Sequence, residues 1–174
     1  RCMIDILSAR ADSIRLEPPG TEGDGIEFWL KKGDLLEFHQ VKRQNSPSGN
    51  WTIASLDSKD VLEHFWDKLQ NPKSSCIFVS TNSASQLEEL IDRSKRAASF
   101  AEFKSEFLKA KSVNSNFKQL STCWNNCTEH ETYSSLLRLE TETISERTLR
   151  STVERELGSL IDGNTANAVD VLAQ

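Results

Sequence analysis

The sequence is poor in glycine and proline, and it contains no long apolar run. Its 174 residues include only seven glycines and four prolines, and its 37% hydrophobic and 27% charged residues are typical of a globular rather than a disordered protein. No apolar stretch approaches the roughly 18 residues of a membrane span, and no basic and then apolar start resembles a signal peptide. We expect one cytoplasmic domain over residues 1–174, with no membrane contact.

Several familiar catalytic and cofactor-binding patterns are also missing. The chain has no glycine-rich phosphate loop, no dinucleotide-binding fingerprint and no recognisable Ser-His-Asp arrangement. Its cysteines, Cys2, Cys76, Cys123 and Cys127, lack the spacing of a disulfide framework, so we expect reduced thiols. Cys123, Cys127 and His130 lie close in sequence, but a structural zinc site needs four ligands and a Cys-x-x-Cys pair is absent. We therefore expect no zinc site here.

The net charge of −5 argues against a protein whose whole surface binds nucleic acid. The charges are nevertheless unevenly distributed. Residues 91–118 carry seven lysines or arginines against three acids, whereas residues 129–162 carry eight acids against four arginines. A phosphate backbone could then bind to one face only, although ordinary solvated helix faces explain the same pattern equally well.

The stretch that most resembles a reactive site is residues 24–42, DGIEFWLKKGDLLEFHQVK. Apolar and polar residues alternate at its start, which is the period of a strand with one buried face. A turn-like Lys31-Lys32-Gly33-Asp34 follows, and then a second apolar-rich run from Leu35 to Lys42. The pattern predicts a β-hairpin.

Three polar side chains of this hairpin are predicted to converge. Because alternate residues of a strand share a face, Gln40 and Lys42 point the same way, and Glu27 on the first strand can stand beside them. An acid, an amide oxygen and a lysine at one spot form a plausible site for a cation and a water. A solvated lysine that merely pairs with Glu27 or Glu37 is the alternative. His39 faces the other way, so we expect it to be packed or hydrogen-bonded.

The rest of the chain alternates between helical and strand patterns. Helices are predicted over Arg1–Arg10, from Asp57 or Ser58 to Gln70, from Ser83 through Ile91, over Phe100–Leu108, around Phe117–Trp124, from Ser145 to Gly163, and from Asn164 or Thr165 onward. Further strands are predicted over Ser13–Glu17, Ser75–Thr81 and Leu136–Ile144. The polar loop Arg43–Asn50 either holds DNA phosphates or simply connects two elements. This order predicts an α/β fold with a mixed sheet flanked by helices.

The hairpin with an acid on its first strand and Gln-x-Lys on its second resembles the PD-(D/E)xK nuclease fold in its Gln-x-Lys variant. Mrr-type restriction endonucleases and the effector nucleases associated with CD-NTase defence systems share this variant. The wider run, including EGDGIEFWL, EFHQVKRQ, VLEHFWDKL and CIFVSTNSASQLEEL, is similar to the nuclease module at the N-terminus of Avs-type STAND ATPases of antiphage defence. The resemblance covers nearly the whole chain and implies a restriction-endonuclease-like mixed sheet.

The resemblance also implies roles for individual residues. Gln40 and Lys42 match the Gln-x-Lys element, and Glu27 aligns by alternation with the aspartate of the Mrr type. Asp24, at the strand entrance, fits the older Pro-Asp pattern, so either acid can be the main carboxylate. The implied catalytic set is Glu27, Gln40, Lys42 and Asp24, and the implied ligands of Mg²⁺, or of Mn²⁺, are Glu27, Asp24, Gln40 and Glu17.

The implied function is metal-dependent hydrolysis of DNA phosphodiester bonds, with double-stranded DNA as the expected substrate. Lys42, Arg43 and Gln44 would contact the nucleic acid. Because the chain begins with Arg1 rather than methionine, we expect it to be a piece of a longer protein, and the resemblance implies that it is the N-terminal part of a larger STAND ATPase. Its expected partners are the downstream ATPase and sensor domains and, on activation, further copies of itself. The alternative is an inactive nuclease-fold module that binds nucleic acid or mediates assembly.

Overall fold

The structure is a computed structural model. It describes residues 2–18, 20, 23–42 and 49–159. The predicted hairpin lies at the centre of the sheet, where β2 (Phe28–Lys32) pairs antiparallel with β3 (Leu35–Lys42). Gly33 stands in the connecting turn with a φ of 62°, a conformation that glycine adopts at little cost. The hairpin prediction is therefore confirmed, although its first strand begins only at Phe28.

The other strands extend the sheet on both sides of the hairpin. β1 (Ser13–Leu16) runs antiparallel to β2, β4 (Ser74–Ser80) runs parallel to β3, and β5 (Leu139–Thr143) runs parallel to β4. The order of the strands across the sheet is the order along the chain. The protein thus has the predicted α/β fold, a mixed five-stranded sheet flanked by helices, which is compatible with a restriction-endonuclease-like architecture.

Eight α-helices occur within the described residues. They are α1 (Cys2–Leu7), α2 (Ile53–Asp57), α3 (Val61–Leu69), α4 (Ser85–Arg96), α5 (Phe100–Glu102), α6 (Lys111–Cys123), α7 (Glu129–Leu136) and α8 (Glu146–Gly158). A π-helical turn, Phe103–Phe107, follows α5 directly. None of these helices is long and apolar enough to cross a lipid bilayer.

The structure corrects three helix predictions. Helix α2 was not predicted, and the helix expected from Asp57 or Ser58 to Gln70 is α3, which begins only at Val61 because Asp60 takes a left-handed backbone conformation with φ of 59°. Helix α7 was not predicted, although Thr128 begins it with a capping box. Helix α8 ends at Gly158 rather than at Gly163, and the last predicted helix lies outside the described residues.

The main core lies between one face of the sheet and helices α2, α3, α4, α6 and α7. Its largest fully buried side chains are Phe65, Phe78, Phe103, Phe117 and Trp124. The indole of Trp124 donates a hydrogen bond of 2.9 Å to the carbonyl oxygen of Leu62, so this polar group is satisfied inside the core. A second cluster of three residues, Ile4, Val153 and Leu157, joins α1 to α8.

Candidate functional site

Glu27 and Lys42 meet where the hairpin strands diverge. Glu27 stands directly before β2, and its backbone N–H donates to the carbonyl of His39 at 3.1 Å, so it continues the strand pairing. Its Oε2 accepts the backbone N–H of Val41 at 2.7 Å, and its Oε1 lies 3.5 Å from Nζ of Lys42. The structure therefore brings together the acid and the lysine that the sequence placed on one face.

Gln40 lies on the same face of β3 but points into the interior. It is only 1% exposed and stands beside Phe78 of β4. Its Oε1 is buried and has no hydrogen-bond partner among the described residues. Burial of an unpaired carbonyl oxygen costs about 1–3 kcal/mol, so such an atom calls for an explanation. A metal ion or a hydrogen-bonding ligand at this oxygen would supply one.

Lys42 occupies the carboxyl end of β3, beside Ser80 at the carboxyl end of the parallel strand β4. Its side chain is about one third exposed, so its ammonium group can reach solvent while it remains next to Glu27. The carboxyl ends of parallel strands are a common place for ligand binding in α/β proteins. The position of Lys42 is therefore consistent with a binding site at this edge.

The other proposed acids do not join this group in the described contacts. Asp24 is exposed. It lines a depression together with Asp60, which directly precedes α3, and with Glu63 and His64 of α3. The backbone N–H of Glu17 donates to the carbonyl of Glu27 at 2.8 Å. Glu17 itself is exposed and has a φ of 42°. Its backbone, rather than a described side-chain contact, links it to the site.

The sequence also predicts two nucleic-acid contacts next to Lys42. Arg43 and Gln44 lie outside the described residues.

The oxygen donors present are compatible with a magnesium ion that keeps most of its water ligands. No group of three or more His, Cys, Asp or Glu side chains within the described ranges could hold a metal. Mg²⁺, however, is commonly bound through only one or two carboxylates. Glu27 supplies one carboxylate with lone pairs remaining, and the Gln40 amide oxygen is a second hard donor. These residues therefore fit the ion in chemical type.

Comparisons of this chain with protein families, curated proteins and solved structures found no match. The interpretation of the site thus depends on its own geometry.

His39 lies on the opposite face of β3, as predicted, and is packed. It is 5% exposed, its ring stacks on Phe28 with centroids 4.4 Å apart, and its Nε2 lies 2.9 Å from Oε1 of Glu37. Lys32 also donates to both oxygens of Glu37 at 2.9 Å. Burial raises the pKa of Glu37, but the hydrogen bonds from His39 and Lys32 outweigh it, so the net pKa lies below its usual value.

The four cysteines are free thiols. Burial raises the pKa of Cys76 and of Cys123 to about 12, which keeps both groups protonated at neutral pH. Sγ of Cys127 lies 3.1 Å from the hydroxyl of Thr132. His130, which the sequence placed near these thiols, packs edge-on against Phe100 with ring centroids 5.3 Å apart.

The basic and acidic segments of the chain lie beside each other. Lys95 pairs with Glu140 at 3.2 Å, and Lys104 pairs with Glu129. Another basic side chain of residues 91–118 pairs within the same segment, as Lys109 does with Glu106 at 2.6 Å. These contacts neutralise part of the basic surface that was considered for phosphate binding.

Sequence reasoning missed two residues next to the site, Trp51 and Ser80. The indole N–H of Trp51 donates to Oγ of Ser80 at 2.8 Å, and both side chains are buried. A signal was available for one of them, since a buried tryptophan usually requires a partner for its N–H. The identity of that partner depended on the tertiary structure.

Proposed function

We propose that this protein is a metal-dependent endonuclease that hydrolyses DNA phosphodiester bonds, with Mg²⁺ as its cofactor and Mn²⁺ as a substitute. The observation that supports it best is the meeting of Glu27 and Lys42, 3.5 Å apart, beside the buried amide oxygen of Gln40, which has no partner in the described part of the chain. Double-stranded DNA is the proposed substrate. The sequence resemblance to Gln-x-Lys nucleases supports the same assignment.

Each of the three side chains has a distinct role in this proposal. Glu27 and Gln40 would hold the metal, which when bound polarises a phosphate and activates water. Lys42 carries a fixed positive charge with access to solvent, so it can stabilise the negative charge that develops on the phosphate oxygens. Glu27 also keeps Lys42 in place through their ion pair. The buried walls around Gln40 strengthen these electrostatic interactions.

The biological setting is proposed from the resemblance alone. We infer that the domain acts in the cytoplasm as the effector of a STAND ATPase in antiphage defence. Its ATPase and sensor domains would follow in the same polypeptide. Oligomerisation of the parent protein would then activate DNA cleavage.

A second function is favoured by two features of the same site. Gln40 is 1% exposed, and Oε2 of Glu27 already accepts the N–H of Val41. Burial of Gln40 and the hydrogen bond to Glu27 also fit a nuclease-fold domain that no longer cleaves DNA. Such a module would bind nucleic acid or mediate assembly of its parent protein.

A plasmid-cleavage assay separates the two functions. The protein is incubated with supercoiled plasmid and Mg²⁺, alone and after forced oligomerisation through a fused coiled coil, and EDTA is added to a parallel sample. Lys42→Ala should lower the rate by about 100-fold or more, since it removes a charge that stabilises the transition state. Lys31→Ala is the matched control, because Lys31 is an exposed lysine on the same hairpin. Absence of cutting by every form, including the oligomer, would support the binding module.

A further inference from the structure

Ser80 stands where strands β3 and β4 end together. Its backbone is the parallel partner of Lys42, and Phe78, two residues earlier on β4, is the partner of Gln40. Because paired residues of neighbouring strands share a face, the side chains of Gln40, Lys42 and Ser80 project to the same side of the sheet. Ser80 is 3% exposed, so it is part of the wall behind the site.

The hydroxyl of Ser80 is fully used as an acceptor. It accepts the indole N–H of Trp51 at 2.8 Å and the backbone N–H of Asn82 at 3.2 Å. A hydroxyl oxygen has two lone pairs, so both of its acceptor directions are taken. These two bonds hold Ser80 in one rotamer and fix the indole against the end of β4.

Trp51 is held at three independent points. Besides the bond to Ser80, its backbone N–H donates to the carbonyl of Ser83 at 2.8 Å, and its ring meets Phe78 edge-on with centroids 5.4 Å apart. It is 4% exposed. The indole is therefore held rigidly on the core side of the strand ends, directly next to Ser80, the strand partner of Lys42.

We propose that Ser80 and Trp51 are a positioning pair that fixes Lys42 beside Glu27, an inference that deepens the proposed nuclease function and rests on it. The indole fills the space on the core side of Ser80. The Lys42 side chain, which leaves the same face of the neighbouring strand, is therefore directed toward Glu27 rather than along β4. Loss of the Ser80 hydroxyl leaves the buried indole N–H of Trp51 unpaired, so the indole ring is free to move.

Steady-state plasmid cleavage tests the pair with a control on the same strand. Ser80→Ala and Trp51→Phe should each lower kcat by about 10- to 100-fold with KM unchanged, as is typical when a supporting group is lost. Ser80→Thr should keep most of the activity because it keeps the hydroxyl. The double variant should be no slower than either single variant, because the two residues act as a unit. Ser74→Ala, at the other end of β4, should cut normally, since the Ser74 hydroxyl is buried without a partner among the described residues.

Two NMR signals test the positioning role of Ser80 and Trp51 independently of DNA cleavage. In protein with ¹⁵N-labelled tryptophan and ¹³C-labelled lysine, Ser80→Ala should shift the Trp51 indole N–H and the Lys42 Cε signals, and Ser74→Ala should shift neither. If the parent cuts DNA and Ser80→Ala cuts as fast as Ser74→Ala, the pair is overturned and the nuclease function stands. If the parent does not cut even after forced oligomerisation, the nuclease function fails, and an unmoved Lys42 signal in Ser80→Ala overturns the pair as well. Trp51→Phe keeps an apolar ring and provides a second folded variant should Ser80→Ala be unstable.

Discussion

At the scale of single residues, Gln40 shows the clearest conflict between stability and a proposed role. An apolar side chain of similar volume would avoid the cost of its buried oxygen, which has no hydrogen-bond partner among the described residues. The amide is therefore better explained by what it would bind than by what it contributes to folding.

We predict that Gln40→Leu keeps or raises the free energy of unfolding, by up to about 2 kcal/mol, because it removes a buried carbonyl that no described residue satisfies. The same variant should lose Mg²⁺-dependent cleavage. Urea unfolding and the plasmid assay measure the two effects. Gln119→Leu, at an exposed position on α6, is the control and should change neither. A large loss of stability in Gln40→Leu would show instead that the amide is a structural element.

Glu37 provides a pH-dependent prediction on the other face of the sheet. Because its folded pKa lies below its unfolded value of about 4.3, its ionised form stabilises the fold above that pH. This contribution is lost as the pH falls through the lower, folded pKa. Glu37→Gln should therefore cost about 1 kcal/mol at pH 7 and progressively less as the pH falls from about 5 to 3.

Urea unfolding at pH 7, 5, 4 and 3 checks this expectation. Glu63→Gln, which alters an exposed carboxylate on α3, serves as the comparison. If the difference in unfolding free energy between the parent and Glu37→Gln stays constant from pH 7 to pH 3, it would contradict the hydrogen bonding of Glu37 to His39 and Lys32.

At the scale of elements, the segment before β2 determines which acid reaches the site. Gly25 has a φ of 66°, and a Cβ built there would lie only 1.9 Å from Cδ2 of His64 on α3. This close approach ties the segment to α3. Asp24 is left at the depression beside that helix, whereas Glu27 reaches the strand pairing next to Lys42.

We predict that Gly25→Ala costs about 2–4 kcal/mol, because left-handed strain and a steric clash add together. Gly33→Ala should cost only about 1–2 kcal/mol, since Gly33 has a similar φ of 62° but no atom of the described residues lies within 4 Å of the position that a Cβ would take. Thermal or urea unfolding gives both values. Combining Gly25→Ala with His64→Ala should recover part of the loss, and no recovery would argue against the clash.

At the scale of the whole molecule, the two sides of the sheet are covered unequally. The main core involves five helices on one face, while α1 and α8 meet through the cluster of Ile4, Val153 and Leu157. Fewer buried apolar contacts mean a smaller free energy of local opening. The two sides should therefore differ in their dynamics.

We predict that backbone amides of α1 and α8 exchange with solvent through local openings at least about 2 kcal/mol below the opening of the main core. Native-state hydrogen exchange at Val153 and at Ser8, whose N–H donates to the carbonyl of Ile4, compared with Phe65 and Phe78, measures the difference. Equal protection at all four positions would show that the protein unfolds as one unit.

Much of the fold could be predicted because its signals are local. Alternation in the hairpin, the apolar run of β4 and the N-cap at Ser145 each depend on a few neighbouring residues. The start of α3 was placed too early because a left-handed residue such as Asp60 leaves no clear pattern in the sequence. Helix α7 was missed because its inward side is largely polar, with Thr132 and Ser135 buried.

The sequence by itself determined that Gln40 and Lys42 share a face and that His39 does not, because a strand alternates whatever surrounds it. Only the tertiary structure decided that Glu27 rather than Asp24 adjoins Lys42, because that choice depends on how Gly25 packs against α3. The burial of Gln40 depends likewise on contacts between segments far apart in the chain, and such contacts leave no periodic signal in the residues that make them.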